Sequence, residues 1–137
     1  GALRPGIEGR AAEGGLADRV LFLGDRKDVP DLYQAMDALV LPSFFEGLPM
    51  VGVEAQCAGL PMICSDRVPD EVAIGDCEFL PLEASLSRWA TRVAQAIDQG
   101  RDLGRRVQGA TLTRTAGFDI TREADRLVRR YRALAER

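Results

Sequence analysis

The order of apolar segments in the middle of the chain limits its possible folds more than any other feature. "ALVLPS" is a short continuous apolar run that Pro42 ends, and "PMICSD" is a second such run. Between them, "LPMVGVEAQCAGL" places Val51, Ala55 and Ala58 at helical spacing and stops at Gly59. A strand, a loop, a helix and a second strand in this order predict a parallel βαβ unit, in which the strands are covered on both faces.

Further apolar and polar patterns extend this unit in both directions. "RVLFLG" predicts a buried strand closed by Gly24, and "CEFLPL" predicts a weaker one. One helix is predicted to end at Gly14–Gly15 and another to begin at Asp28, near Pro30. A third is predicted over "SLSRWATRVAQAID", with Ser85 or Ser87 as its cap. The C-terminal part predicts two helices with a break near Gly117, the last at about 119–135. About four strands and five or six helices predict an α/β fold, a Rossmann-like three-layer sandwich with a mostly parallel sheet. Because the pattern begins with a helix, we expect the first strand or strands to lie upstream.

Composition narrows the class of protein. With 137 residues and 46% hydrophobic content, the chain suits one domain with a real core. No apolar run approaches the length of a membrane span, so a cytoplasmic protein is expected. The sequence contains no histidine, which excludes Ser/His/Asp and Cys/His catalytic units within it. The cysteines, Cys57, Cys64 and Cys77, lack the spacing of a zinc or redox motif, so we expect reduced thiols in the core.

The charge is unevenly distributed. Residues 1–100 carry 16 acids and 8 bases, whereas residues 101–137 carry 5 acids and 10 bases. An arginine-rich end can bind nucleic acid, but these arginines alternate with apolar residues at helical spacing. The pattern favours a helix whose arginines cover its polar face or contact another domain, and no nucleic-acid partner is expected.

Three loops follow the predicted strands, "GDRKDV", "PSFFEGLPM" and "SDRVPDEV", and ligands of such sheets bind where strands end. The middle loop is aromatic, acidic and glycine-containing. Gly47 allows a close backbone approach or a positive φ. The amides from Leu48 to Val51, except that of Pro49, would be unpaired donors in the first turn of the next helix, which suits a phosphate. Glu54, one turn later, and Glu46 in the loop have carboxylates that can accept hydrogen bonds from sugar hydroxyls. Two glutamates at this spacing are also common as unrelated surface acids.

The segment from "VLFLGDRKDVPDLYQAMDALVLPSFFEGLPMVGVE" to "AQCAGLPMICSD" resembles a known family. It is similar to the C-terminal, donor-binding domain of retaining glycosyltransferases of the two-domain GT-B fold, often called family 4, especially the bacterial capsular and exopolysaccharide members. The resemblance covers roughly residues 3 to 135. It rests on the Glu46/Glu54 pair, the "EGLP" loop, "EAQCAGLPMICSD" and the "FLG" strand with its acidic-basic loop.

This resemblance implies a nucleotide diphosphate-sugar ligand, commonly a UDP-sugar, and roles for particular residues. Glu54 would bind the ribose hydroxyls, and Glu46, the candidate catalytic residue, would contact the sugar. Arg26 and Asp28 would face the base, although Arg26 can equally be a solvated loop residue and Asp28 a helix cap. Ser43 lines the pocket or simply ends its strand. The donor-binding backbone would consist of Gly47, Leu48, Pro49, Met50 and Val51.

The family pattern is incomplete in this sequence. Members carry an Arg and a Lys near the start of this domain that neutralise the leaving diphosphate, and acceptor groups, often with a His, come from the N-terminal domain. Here the sole lysine is Lys27, in another segment. The resemblance therefore implies a truncated donor domain over residues 1–137, inactive alone.

For the parent enzyme, the resemblance implies sugar transfer with retention to a saccharide or lipid-linked acceptor held by the N-terminal domain. No metal and no separate cofactor are expected, and the parent would work in the cytoplasm or at the inner face of the membrane. The alternative is a non-catalytic module of the same fold that binds nucleotide-sugars or a partner. A phosphoacceptor receiver domain is disfavoured, because its paired acids after the first strand and its late lysine are absent.

Overall fold

A parallel three-stranded sheet forms the centre of the computed structural model, which describes residues 2–136. The strands are β1 (Leu39–Leu41), β2 (Met62–Ser65) and β3 (Cys77–Leu80), in the order β1-β2-β3. Leu39 is in register with Met62, and Met62 with Cys77. Helix α3 (Met50–Cys57) connects β1 to β2, which confirms the predicted βαβ unit.

The structure has five further α-helices: α1 (Arg4–Glu13), α2 (Val29–Ala35), α4 (Leu86–Gly100), α5 (Leu103–Thr115) and α6 (Ile120–Ala135). Their ends follow the predicted signals. The Ser85 hydroxyl accepts a hydrogen bond from the Arg88 amide at the start of α4, and Gly117 separates α5 from α6 with a φ of 91°.

The predicted strand "RVLFLG" is wrong for the described structure. No strand forms there, and Leu21 is 80% exposed. The Val20 amide donates to the Leu16 carbonyl at 3.0 Å, within its own segment. A strand is stabilised by backbone pairing with a neighbour, and among residues 2–136 no strand pairs with this segment. The described sheet therefore has three strands where four were predicted.

The core is built on both faces of β2. Met62 and Cys64 point to one face, where they pack against Val53 of α3. Ile63 points to the other face and packs against Ala96 of α4. Alternating directions along one strand and a helix on each side give the predicted three layers. The edge strand β1 is less covered than predicted, since Val40 is 39% exposed.

Of the residues predicted at helical spacing on α3, Ala55 is buried but Val51 is exposed. The buried residues of α3 are Gly52, Val53, Ala55 and Gln56. With 3.6 residues per turn, these four share one side, and the opposite side carries Val51, Glu54 and Cys57, all exposed. Val51 is therefore not a core residue. Cys57 was expected to be a core thiol, and that prediction is wrong because Cys57 is exposed. Cys64 is buried and Cys77 half-buried, and all three thiols are free.

Buried Gln56 ties α3 to the segment before β3. Its amide nitrogen donates to the carbonyls of Gly52 and Val72 at 3.0 and 2.8 Å. Its carbonyl oxygen accepts from the amides of Ile74 and Gly75 at 3.0 and 2.9 Å. One side chain thus satisfies four backbone groups, which fixes the rotation of α3 about its axis.

Helix α5 packs against the end of α3 at backbone distance. A Cβ atom on Gly109 would lie 2.5 Å from both the Gln56 carbonyl oxygen and the Gly59 amide nitrogen. Gly59 itself has a φ of 77°, in the left-handed region that favours glycine. The position of α3, and of everything that it carries, therefore depends on contact with α5.

Candidate functional site

The start of α3 presents unpaired backbone amides beyond the end of β1. Pro49 occupies the N-cap position, and its carbonyl accepts from the amides of Gly52 and Val53 at 2.9 and 3.4 Å. Within residues 2–136, the amides of Met50 and Val51 have no hydrogen-bond acceptor. Unpaired amides at the positive end of a helix favour an anion such as a phosphate.

The loop between β1 and α3 places Glu46 through a serine pair. The Ser43 hydroxyl donates to Glu46 Oε1 at 2.7 Å, and the Ser65 hydroxyl donates to the Ser43 carbonyl. Because β1 ends at Leu41, Ser43 lies in the loop and does not end the strand. Glu46 is half-buried, so its carboxylate is held in a defined place.

The rest of this loop is open to solvent. Phe44 and Phe45 are 82% and 87% exposed, and Leu48 is 43% exposed. A Cβ atom on Gly47 would meet nothing within 4 Å, and Gly47 does not have a positive φ. The positive φ offered as one reason for this glycine is therefore wrong, and a close approach of its backbone to a ligand stays a prediction.

Glu54 lies on the exposed side of α3, one turn from the unpaired amides. Its Oε2 accepts a hydrogen bond of 3.0 Å from the hydroxyl of Tyr33, which also lies 3.5 Å from the Val51 carbonyl oxygen. Tyr33 projects from α2 and is 5% exposed. An exposed carboxylate on one helix is thus held by a buried phenol on another.

The neighbourhood of Glu54 changes the acidity of this phenol. Burial, the hydrogen bond to Glu54 and the negative charge of Glu54 together raise the pKa of Tyr33 to about 12, with burial the largest cause. The hydroxyl therefore keeps its proton at neutral pH and remains a donor to Glu54.

Arg26 and Asp28 form an exposed ion pair before α2. Arg26 Nε donates to Asp28 Oδ1 at 2.8 Å, and Nη2 donates to Oδ2 at 2.5 Å. This hydrogen bond to the guanidinium lowers the pKa of Asp28 below its ordinary value. Asp28 occupies the N-cap position of α2 as predicted, but its side chain makes no capping hydrogen bond.

A shallow cavity of about 490 Å³ lies beside Glu54. It opens between α2 and α3 and is mostly apolar. Its lining residues are Val29, Pro30, Tyr33, Gln34, Glu54, Cys57 and Ala58. The volume is in the range of small-molecule sites.

The structure joins the predicted site residues in separate groups. Ser43 and Glu46 are hydrogen-bonded to each other, and Arg26 is bonded to Asp28. No hydrogen bond between these pairs, or from either pair to Glu54, is present among residues 2–136. The ten predicted positions nevertheless lie on two loops, those before α2 and α3, and on α3 itself.

Sequence reasoning missed two residues that shape the site. Tyr33 lies on the helix predicted from Asp28, and a buried tyrosine hydroxyl usually finds a hydrogen-bond partner, which was a usable signal. Ser65 anchors the loop through Ser43, and nothing in its sequence context distinguishes it from a serine that merely ends a strand.

Residues 2–136 contain no group of three or more His, Cys, Asp or Glu side chains arranged to hold a metal ion. None of their helices has the length and apolar character that crossing a bilayer requires.

Comparison with known proteins places this geometry in a family. The family model described as "Glycosyl transferases group 1" matches residues 1–99. The chain belongs to this family. That agrees with the GT-B glycosyltransferase resemblance drawn from the motifs.

Individual group 1 relatives are similar over limited stretches. EpsF of Bacillus subtilis (strain 168), whose name describes it as a glycosyltransferase, is 41% identical over 97 residues, 69% of this chain and 25% of its own length. An Escherichia coli UDP-Gal:alpha-D-GlcNAc-diphosphoundecaprenol alpha-1,3-galactosyltransferase is 49% identical over 51 residues, 37% of this chain and 13% of its own. The chain thus spans a quarter or less of these two relatives.

A solved structure supports the fold over almost the whole chain. Sucrose-phosphate synthase from Thermosynechococcus elongatus superposes with a TM-score of 0.77 and 26% identity. The match covers 99% of this chain and 35% of that enzyme. The α/β architecture is therefore that of the C-terminal region of a GT-B glycosyltransferase.

Proposed function

We propose that this chain is the donor-binding part of a glycosyltransferase and that its ligand is a nucleotide diphosphate-sugar, with a UDP-sugar the first candidate. One observation carries the proposal: a single helix start presents the unpaired amides of Met50 and Val51, and one turn later the same helix presents exposed Glu54. Amides and a helix dipole suit a diphosphate, and a carboxylate suits the paired hydroxyls of a ribose.

Other residues complete the proposed donor site. The diphosphate and donor sugar contact the backbone of Gly47, Leu48 and Pro49. Glu46, the candidate catalytic residue, binds the sugar hydroxyls. The Ser43–Glu46 hydrogen bond of 2.7 Å supports this, because it fixes the carboxylate before any ligand arrives. Arg26 and Asp28 face the base, next to the start of α2.

The reaction proposed for the whole protein is transfer of a hexose, with retention of anomeric configuration, to a saccharide or lipid-linked acceptor. The name of the Escherichia coli relative states a UDP-sugar donor and a diphosphoundecaprenol acceptor, which favours these classes here. The acceptor would be bound by the N-terminal domain, and the protein would work in the cytoplasm or at the inner face of the membrane. No metal and no separate cofactor are part of the proposal.

This chain is not proposed to catalyse transfer alone. Its sole lysine, Lys27, lies in the loop before α2, and its sequence has no histidine. The family's arginine and lysine for a departing diphosphate have no match at the start of this sequence, and the proposal assigns that role to the parent protein. The same composition keeps a second candidate open, a non-catalytic module of this fold that binds nucleotide-sugars; turnover by the whole parent protein would exclude it.

Calorimetric titration of the chain with UDP, GDP and ADP tests the proposed site. We expect one of them to bind, and Glu54→Ala to weaken it by about tenfold or more, since a hydrogen bond to a charged group contributes about 1.5–3 kcal/mol. Glu13→Ala is the matched control, because Glu13 is an exposed glutamate at the end of α1. Absence of nucleotide binding, or equal affinities of Glu54→Ala and Glu13→Ala, would contradict the assignment.

A further inference from the structure

The contact between Tyr33 and Glu54 joins two helices through one hydrogen bond. Tyr33 packs in a cluster with Ala55 and Leu60, so its ring is fixed by the core. The hydroxyl at the end of this fixed ring lies 3.0 Å from Glu54 Oε2. Among residues 2–136, the Glu54 carboxylate makes no other side-chain hydrogen bond.

The backbone of Tyr33 is itself anchored from another helix. The Arg106 side chain, from α5, donates to the carbonyls of Tyr33 and Gln34 at 3.4 and 3.3 Å, and also to that of Met36. These carbonyls lie at the C-terminal end of α2, where a positive side chain is favoured, and the Tyr33 carbonyl also accepts from the Met36 amide at 3.4 Å. The phenol that contacts Glu54 is therefore held in place by α2, by α5 and by the core.

The contact between Tyr33 and Glu54 lowers the entropic cost of binding a ligand at Glu54. An exposed glutamate samples several rotamers, and ordering it on binding costs affinity. A phenol that donates to one oxygen fixes the rotamer in advance and occupies a single lone pair of the carboxylate. The remaining lone pairs are sufficient to accept both hydroxyls of a ribose.

We propose that Tyr33 is a positioning residue that orients the Glu54 carboxylate for the ribose of the nucleotide, and so determines the preference for ribonucleotides over 2′-deoxyribonucleotides. This inference rests on the proposed function, because it takes Glu54 as the ribose-binding group. Tyr33 does not contact the ligand itself in this scheme; it acts through Glu54.

The test is a double-mutant cycle measured with two ligands. Wild type, Tyr33→Phe, Glu54→Gln and the double variant are titrated with UDP and with 2′-deoxy-UDP, or with the corresponding GDP or ADP pair if that nucleotide binds more tightly. We expect wild type to prefer the ribonucleotide about tenfold, and Tyr33→Phe to bind it about three- to tenfold more weakly while its affinity for the deoxy form changes little. The double variant should match Glu54→Gln, because the tyrosine acts only through the glutamate.

Tyr131→Phe, on α6, is the matched control, since that side chain is 64% exposed. A merely structural role of Tyr33 would weaken both ligands by the same factor and would add to the effect of Glu54→Gln. Either result, or an unchanged ribose preference in Tyr33→Phe, overturns the inference alone. If wild type shows no ribose preference, the role of Glu54 in the proposed function fails with it.

Discussion

Replacement of Gly109 by alanine should show how strongly the site helix depends on its neighbour. The Cβ atom would lie 2.5 Å from the Gln56 oxygen and the Gly59 nitrogen, and 2.7 Å from the Cys57 oxygen. All three are backbone atoms, so no side-chain rotation relieves the contact. Ordinary contact begins at 3.4 Å, so α5 must move away from α3 by up to 0.9 Å, the difference between 3.4 and 2.5 Å.

Two opposing effects determine how far Gly109→Ala changes the free energy of unfolding. Overpacking of a core costs about 1–3 kcal/mol, and contact with rigid backbone places Gly109→Ala near the upper end. Alanine in a helix interior is about 1 kcal/mol more favourable than glycine. The free energy of unfolding should therefore fall by about 2 kcal/mol. Gly9→Ala makes the same chemical change inside α1, where the Cβ atom would meet nothing within 4 Å outside its own helix backbone, and should raise the free energy of unfolding by about 0.5–1 kcal/mol.

Urea unfolding followed by the fluorescence of the single tryptophan, Trp89, measures both variants. Trp89 packs partly buried against the core around Ile63, so its signal reports loss of that core. Opposite signs for the two substitutions support the close packing of α3 on α5. If Gly109→Ala is as stable as Gly9→Ala, the backbone contact is not present in solution and the reasoning is refuted.

Two further predictions concern buried polar groups. The pKa of Tyr33 is raised from 10.0 to about 12, so its contribution to stability is complete below pH 10 and is lost as pH rises through 12; the loss is at most about 3 kcal/mol. Absorbance titration of Tyr131→Phe, which retains one tyrosine, should give a midpoint near 12, and one near 10 would contradict the buried contact. Gln56→Leu removes partners from four backbone groups and should lower the free energy of unfolding by about 2–4 kcal/mol in urea unfolding. Gln99→Leu, at an exposed position on α4, should change it by less than about 0.5 kcal/mol, and equal effects of the two would count against the Gln56 network.

The sequence predicted those helices and strands whose ends are marked by a proline, a capping serine or a glycine. A proline ends β1, a serine caps α4, and glycines follow α1, α3 and α5, so these boundaries could be read directly. The apolar run of residues 20–24 has an equally clear strand pattern, yet it forms no strand. A pattern reports what a segment favours, whereas a strand also needs a partner, and pairing depends on the rest of the fold.

The candidate site was predictable to the extent that it is contiguous in sequence. The loop with Glu46 and the helix with Glu54 lie on one short segment, so their proximity follows from chain connectivity. The contacts of Tyr33 with Glu54 and of Arg106 with α2 link residues far apart in the chain. Such contacts are set by how helices pack on the sheet, which spacing alone does not determine.

A crystal structure of the chain with its tightest-binding nucleoside diphosphate tests the central claim most directly. The account predicts the diphosphate at the amides of Met50 and Val51, and both ribose hydroxyls on the Glu54 carboxylate. It would be contradicted by a nucleotide bound elsewhere, for example in the cavity of about 350 Å³ that Asp76, Gln108 and Gly109 help to line.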